Sequence, residues 1–144
     1  MICQIKNIKL AVIGLGYVGL PLAIEFAKKR TVIGFDINKK RINQLKNFND
    51  INNEISLQEI KNKKKVTFSS NIDDIKKCNT YIITVPTPID KQNNPDLKNI
   101  LNACLIIGKI LKEKDLIIFE STVYPGLTDE ICIPKIEKYS KLKI

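Results

Sequence analysis

The sequence predicts an α/β fold in which parallel strands form a doubly wound sheet. Two observations lead to this prediction. Short β-branched apolar runs alternate with amphipathic stretches along the chain, as strands alternate with crossover helices in such sheets. No internal repeat or low-complexity linker interrupts the alternation, and 144 residues is an ordinary length for one domain. We therefore expect residues 1–144 to form a single domain.

Short apolar runs are predicted to be the strands, and they lie at residues 8–13, 31–35, 66–68, 80–85 and 116–119. Helical spacing of apolar residues predicts helices between them. The helices are expected at 17–29, around a stripe of Ile42 and Leu45, at 96–111 and at 127–139, with short turns at 57–60 and 71–75. Asp96 can cap the helix at 96–111, and Pro134 is expected to bend or restart the last helix.

Gly14, Gly16 and Gly19 form a Gly-x-Gly-x-x-Gly pattern between the first predicted strand and the first predicted helix. Gly14 permits a tight turn, Gly16 leaves room for a pyrophosphate beside the backbone, and Gly19 lets the helix lie close to the strand. The free N–H groups and the positive dipole end of that helix face the phosphates. The order of strand, glycines and helix therefore predicts a dinucleotide site in a Rossmann-like domain.

Asp36 directly follows the second predicted strand, near the spacing at which an acidic residue meets the adenosine ribose. Its carboxylate can accept hydrogen bonds from the ribose hydroxyls, and it repels a 2′-phosphate. This favours NAD over NADP as the cofactor. The alternative is that Asp36 is a helix N-cap or a turn residue for the segment that begins at Asn38.

A proline-rich segment, residues 85–88, ends the fourth predicted strand. The first and second strands end at the glycine loop and at Asp36. In open α/β sheets, ligands bind at the carboxyl ends of the strands. We therefore expect these three segments to meet at one crevice.

The net charge of +9 raises the alternative of a nucleic-acid partner. The lysines are spread through the chain, and their densest run, residues 61–65, lies in a polar connector without interleaved aromatic residues. A solvated lysine surface is therefore favoured and no nucleic-acid partner is expected, although a basic surface would help to attract a nucleotide-sugar diphosphate. No apolar run approaches the ~18 residues of a membrane span, and the N-terminus lacks a signal-peptide pattern. We expect a cytoplasmic protein with no membrane partner.

The cysteines are scattered without a Cys-x-x-Cys pair, which predicts reduced and mostly buried thiols. They are Cys3, Cys78, Cys104 and Cys132. Cys104 and Cys132 lie on apolar helix faces and are expected to pack in the core. The sequence contains no histidine, so these residues hold no His-based triad or His-ligated metal, and we expect no metal.

Four segments together resemble the NAD-binding domain of the UDP-glucose/GDP-mannose 6-dehydrogenase family. They are residues 14–22 (GLGYVGLPL), 34–37 (GFDI) with Arg41, 85–90 (VPTPID) and 120–126 (ESTVYPG). Pro21, Leu22 and the 120–126 loop are more similar to the UDP-N-acetylhexosamine branch, including enzymes that act on UDP-N-acetylgalactosamine, than to UDP-glucose dehydrogenases.

The resemblance implies oxidation of the C6 alcohol of a UDP-sugar to the uronate, in two hydride transfers to NAD, for surface polysaccharide precursors. It also implies that the full-length enzyme is a homo-oligomer. The family's nucleophilic cysteine and most UDP contacts belong to later domains, so the chain is expected to be an inactive fragment that comprises the dinucleotide-binding domain. The alternative is a stand-alone NAD-binding or sensing module.

The resemblance also implies a set of cofactor contacts. They are Gly14, Gly16, Tyr17, Val18 and Gly19 at the pyrophosphate, Asp36 and Arg41 at the adenosine ribose, Val85, Pro86 and Thr87 along the crevice, and Ser121 and Thr122 near the nicotinamide. Thr122 is the implied catalytic residue, because it would orient the water used in hydrolysis. The alternative is that Ser121 and Thr122 form a local turn or cap the last helix.

Overall fold

The computed structural model describes residues 7–56, 65–89, 92 and 94–144. The strands are β1 Leu10–Ile13, β2 Val32–Phe35, β3 Val66–Ser69, β4 Thr80–Ile83 and β5 Leu116–Phe119. All neighbours pair in parallel, in the order β3-β2-β1-β4-β5. The order reverses beside β1, as it does in doubly wound sheets, and the predicted fold class is confirmed.

The first and fourth strands are shorter than predicted. β1 begins at Leu10 instead of Ile8, because the N–H of Lys9 donates to the side chain of Asn79 and Ile8 is exposed. β4 ends at Ile83, two residues before its predicted end, and both the N–H and the hydroxyl of Thr84 lie within hydrogen-bond distance of the carbonyl of Ile13 at the end of β1. At both of these strand ends, the adjoining residue takes part in a side-chain hydrogen bond.

The helices are α1 Gly19–Ala27, α2 Lys39–Lys46, α3 Ile72–Ile75, α4 Lys98–Gly108 and α5 Ile133–Ser140. α1 and α4 are shorter than the predicted 17–29 and 96–111. Asp96 precedes the cap position of α4, which Leu97 occupies, but its carboxylate accepts a hydrogen bond from the N–H of Lys98 at 2.9 Å. The predicted turn at 57–60 lies outside the described residues.

The last helix restarts at Ile133, beside Pro134, as the sequence predicts. A π-helical segment, Thr128–Cys132, precedes α5. The N–H of Ile133 reaches the carbonyl of Thr128, and Pro134 lies in the first turn of α5, where its missing N–H costs least. The change from a π-helix to an α-helix beside a proline is expected, because proline cannot donate the backbone hydrogen bond that would continue the preceding turn.

Both faces of the sheet are covered, which explains why its central strands are apolar throughout. Leu10 and Val12 of β1 belong to a buried cluster with α1, whereas Ala11 and Ile13 belong to a second cluster with α4. The edge strand β5 differs, since Leu116 is exposed and its other three residues are only partly buried. Within the described residues, no helix is long and apolar enough to cross a membrane.

Candidate functional site

A cavity of about 520 Å³ lies at the carboxyl ends of β1, β2 and β4. Its wall includes five of the predicted cofactor residues, Gly14, Gly16, Asp36, Arg41 and Val85. Leu15, their neighbour in the glycine loop, also lines it. Pro86 and the α4 residues Asn99 and Asn102 complete the opposite side. We call this space the adenosine-side cavity. The crevice predicted where three strands end is confirmed.

The three glycines of the loop have different surroundings. Gly14 has φ +95°, and a Cβ there would lie 2.9 Å from Cγ1 of Val85. A Cβ on Gly19 would overlap the carbonyl oxygen of Gly14 and the hydroxyl of Thr84. A Cβ on Gly16 would meet nothing within 4 Å. The predicted tight turn and close helix packing are confirmed, and the open side of the loop is at Gly16.

The backbone of Leu15 is held at both its polar groups. Its N–H donates to Oδ2 of Asp36 at 2.9 Å, and its carbonyl accepts from Nε of Arg41 at 2.9 Å. The glycine loop is therefore fastened to the β2–α2 connection. Spacing predicted Asp36 as a ligand contact and the family resemblance implied Arg41, but neither showed that both residues also hold the loop.

Asp36 has a turn role as well as a place in the cavity wall. Its Oδ1 accepts a hydrogen bond from the N–H of Asn38 at 2.8 Å. The N-cap alternative is wrong, since Asn38 caps α2 and accepts from the N–H groups of Lys40 and Arg41. Asp36 is therefore a turn residue, as the other alternative predicted, and it also lies at the crevice, as the cofactor hypothesis predicted.

Arg41 is 6% exposed and Asp50 is 7% exposed, and they form an ion pair with Nη2 and Oδ1 2.8 Å apart. Nη1 and Nη2 of Arg41 are both buried without a hydrogen bond among the described residues, and Nη2 has only the ion-pair contact to Asp50. Burial raises the pKa of Asp50, but the Arg41 contact and three backbone N–H groups outweigh burial and hold this pKa below its ordinary value. Sequence reasoning missed Asp50, because a single acid in a polar connector gives no pattern.

Thr84 is a second residue that sequence reasoning missed. It is buried, and its hydroxyl lies 2.8 Å from the carbonyl oxygen of Gly14 and 3.0 Å from that of Ile13. A hydroxyl has one proton, so it donates to one of these acceptors at a time. The sequence did contain a signal for Thr84, because it is a polar residue within the predicted apolar strand 80–85.

A second cavity, of about 560 Å³, lies between the loops that follow β4 and β5. We call it the loop cavity. Thr87 and Thr122 line it with apolar neighbours such as Ile89 and Tyr124, and Pro86 lines both cavities. Oγ1 of Thr87 donates to the carbonyl of Thr122 at 2.5 Å. The predicted site residues are therefore divided between two adjoining spaces.

Ser121 and Thr122 have unlike surroundings. Ser121 is buried, and its hydroxyl donates to the carbonyl of Val85 at 2.7 Å, whereas Thr122 is exposed. Neither residue caps the last helical segment, which begins at Thr128 with Leu127 at the cap position. The capping alternative is therefore wrong, and Ser121 links the two loops.

Tyr17 and Val18 are exposed by 69% and 56% and do not line either cavity. Their predicted contact with a cofactor would therefore use the backbone. Among the described residues, we find no protein acceptor for the N–H groups of Gly16, Tyr17 and Val18. These groups precede α1, whose positive dipole end adds to their attraction for an anion.

The described cysteines are reduced and buried, as predicted. Burial, with a contribution from Asp115, raises the pKa of Cys78 to about 11. Burial also raises the pKa of Cys104 and Cys132, which lie in one core cluster. These three thiols stay protonated at neutral pH and are unsuited to nucleophilic attack. Cys3 lies outside the described residues.

Comparison with known proteins gives one consistent result. The model of the UDP-glucose/GDP-mannose dehydrogenase family, NAD binding domain, matches residues 8–144. A UDP-N-acetyl-D-glucosamine 6-dehydrogenase from Pseudomonas aeruginosa is 53% identical, with 96% of this chain and 33% of the relative covered. Protein CapL from Staphylococcus aureus is 51% identical, with 94% and 32% covered.

A solved structure agrees with the sequence relatives. The structure of UDP-D-ManNAc dehydrogenase from Pyrococcus horikoshii superposes with a TM-score of 0.85 at 32% identity, with 95% of this chain and 34% of that chain covered. The chain thus spans about a third of the length of the curated relatives it matches.

Proposed function

This chain belongs to the UDP-glucose/GDP-mannose dehydrogenase family, as its NAD-binding domain, and on that premise we propose that it binds NAD through the residues that line its two cavities. The observation that carries the proposal is the space at Gly16. A Cβ would meet nothing there within 4 Å, although Gly14 and Gly19 beside it are tightly enclosed. A loop whose first and third glycines are enclosed, while its middle glycine faces open space beside a cavity, fits the close approach of a pyrophosphate.

The adenosine half of the cofactor would lie in the adenosine-side cavity. Asp36 would accept hydrogen bonds from the ribose hydroxyls with lone pairs that its contacts to Leu15 and Asn38 leave free. Arg41 has a buried Nη1 without a protein acceptor among the described residues, which suits a donor waiting for a ligand oxygen. The carboxylate also supports a preference for NAD over NADP, because it repels a 2′-phosphate.

The nicotinamide half would lie toward the loops after β4 and β5. Val85 and Pro86 would line the crevice, with Thr87 and Thr122 at its outer side. Ser121 would act by holding the carbonyl of Val85. When bound, NAD supplies the acceptor for a hydride. Thr122 carries an exposed hydroxyl that both donates and accepts, which supports its role in orienting a water.

For the whole protein, we propose oxidation of the C6 alcohol of a UDP-sugar, with a UDP-N-acetylhexosamine as the favoured substrate. The names of the relatives that are 51–53% identical over this domain support the substrate class. The described thiols are buried and protonated, so the covalent nucleophile would belong to another part of the enzyme. A cytoplasmic homo-oligomer without a nucleic-acid partner completes the proposal.

The test uses this chain alone, with calorimetric titration and thermal melting in NAD. At about 100 times its dissociation constant, NAD should stabilise the chain by roughly 2.7 kcal/mol. Adding UDP-N-acetylglucosamine or UDP-glucose should give no NADH absorbance. Failure to bind NAD would refute the cofactor proposal, and NADH formation would show that a residue of this chain performs the covalent chemistry.

A further inference from the structure

Asp50 organises the segment that follows α2. Its side chain is only 1% exposed. Its Oδ2 accepts hydrogen bonds from the N–H groups of Glu54 at 2.8 Å and Ile55 at 3.1 Å, and its Oδ1 accepts one from Asn52 at 3.2 Å. One carboxylate therefore folds this polar segment into a fixed turn, because backbone N–H groups converge on it from three positions.

The same carboxylate connects this turn to the glycine loop. Asp50 pairs with Nη2 of Arg41 at 2.8 Å, and Nε of Arg41 donates to the carbonyl of Leu15 at 2.9 Å. The guanidinium group is planar, so these two contacts also fix the direction of Nη1. Nη1 is buried and has no hydrogen-bond partner among the described residues, although Arg41 lines the adenosine-side cavity.

The turn that Asp50 folds contributes its own residues to the cavity. Ile51 and Asn52 both line the adenosine-side cavity. Ile51 is 56% exposed, which gives this wall an apolar surface that a flat heterocycle can cover, and Asn52 adds an amide that both donates and accepts. Loss of the Asp50 contacts would therefore disturb Arg41 and this wall together.

We propose that Asp50 is a positioning residue for the adenosine half of the cofactor, acting through the Arg41 guanidinium and the wall formed by Ile51 and Asn52. This inference rests on the proposed NAD site. A buried ion pair is weak evidence for stability as such, because apolar replacements of a whole pair are often neutral. A ligand-dependent measurement therefore decides its role.

The test measures AMP affinity by calorimetry in the wild type and in Asp50→Asn. Asparagine keeps one oxygen, which can accept from the N–H groups of Glu54 and Ile55, but it removes the charge that holds Arg41 and the second oxygen that accepts from Asn52. AMP should bind about tenfold more weakly, which corresponds to ~1.4 kcal/mol. The matched control is Asp129→Asn, which removes the same charge at an exposed position outside the adenosine-side cavity and should leave AMP affinity unchanged. Urea unfolding establishes that each variant is folded.

The double variant Asp50→Asn/Arg41→Gln distinguishes positioning from a general weakening of the fold. If Asp50 acts through Arg41, the double variant should bind AMP within about twofold of Asp50→Asn, since the arginine is already misplaced. A further tenfold loss of AMP affinity in the double variant would overturn this inference, as would wild-type AMP affinity in Asp50→Asn. Neither result would contradict the proposed NAD site. A wild-type chain that binds neither AMP nor NAD would overturn the proposed function and this inference together.

Discussion

The two cavities at the carboxyl edge of the sheet differ in how deeply the contacts that hold their walls are buried. The adenosine-side cavity is surrounded by buried polar contacts between segments distant in sequence, in which Asp36, Arg41 and Thr84 hold the backbone of the glycine loop. The loop cavity has an exposed rim, with Ile89 66% and Tyr124 42% exposed. Thr87 and Thr122, which line this cavity, contact each other through one hydrogen bond, from the Thr87 hydroxyl to the Thr122 carbonyl.

This difference indicates that the glycine loop is preorganised, whereas the loops around the loop cavity can adjust. A loop held by buried hydrogen bonds keeps its shape before a ligand arrives, so little ordering is required on binding. The loops of the other cavity are joined by the hydroxyls of Ser121 and Thr87, but their rim is exposed, and exposed loops at the edge of a rigid scaffold are where proteins place groups that meet substrates. We expect substitutions on the two sides to act on different quantities.

The largest contrast is expected within the glycine loop itself. Gly16→Val should leave the fold intact, because the new side chain enters open space, but it should weaken NAD binding about 100-fold or ~2.7 kcal/mol. Gly19→Val should prevent stable folding, because its side chain overlaps Gly14 and Thr84. Calorimetry with NAD and thermal melting measure the two effects. Equal NAD affinity in Gly16→Val and the wild type would contradict the proposed position of the pyrophosphate.

The second prediction concerns the acid dependence of stability. The pKa of Asp50 is held below its ordinary value, so its contribution to stability is present above the unfolded-state pKa and is lost as the pH falls through the folded-state pKa. Asp50→Asn should unfold more easily at pH 7 by roughly 3 kcal/mol, since Arg41 stays buried without its partner.

Urea unfolding of both proteins between pH 7 and pH 3 checks this prediction. The gap between wild type and Asp50→Asn should narrow toward the acid end, while Asp129→Asn follows the wild type throughout. A gap that is constant across this range would show that the carboxylate charge does not stabilise the fold.

The third prediction concerns cofactor choice. The wild type should bind NAD more tightly than NADP, and Asp36→Ser should narrow the difference by about 1–3 kcal/mol, the value of hydrogen bonds to a charged group. Because Asp36 also accepts from Leu15, the variant should lose some thermal stability as well. Competing titrations with both cofactors give the ratio of affinities, and tighter NADP binding by the wild type would contradict the prediction. Arg41 nearby makes this comparison informative, since an arginine can accommodate a 2′-phosphate.

The smallest effects are expected in the loop after β5. Ser121→Ala should lower the free energy of unfolding by about 1 kcal/mol, because it removes a buried hydrogen bond to the carbonyl of Val85. Thr122→Ala, its exposed neighbour, should leave the free energy of unfolding unchanged. Chemical unfolding of both variants tests this prediction. A stability loss in Thr122→Ala equal to that in Ser121→Ala would remove the distinction between the two hydroxyls.

The sequence was sufficient for the fold class and for the position of the crevice. Alternating apolar runs and the glycines depend on local rules, and β1, α1 and β2 follow in the predicted order. The ends of elements were less predictable, because polar contacts across the sheet decide them. Thr84, just after β4, contacts the end of β1, and Asn79 accepts from the N–H of Lys9 just before the start of β1.

The candidate site was predictable where a motif fixes it and unpredictable where contacts between distant segments do. Asp36 followed from its spacing and Arg41 from the family resemblance, although their contacts to Leu15 did not. Asp50 had no signal in the sequence, since its role depends on a turn that forms only when three N–H groups converge on its carboxylate. Long-range hydrogen bonds of this kind require the folded chain.

The edge strand β5 has a consequence for how copies of this chain behave together in solution. Beyond β4, β5 has no strand neighbour among the described residues, and Leu116 is exposed on it. An edge strand that exposes an apolar side chain is a template for association with another chain. The net charge of +9 opposes such contacts by mutual repulsion between copies. Because ~0.15 M salt screens charges beyond about 8 Å, colloidal stability should fall as ionic strength rises.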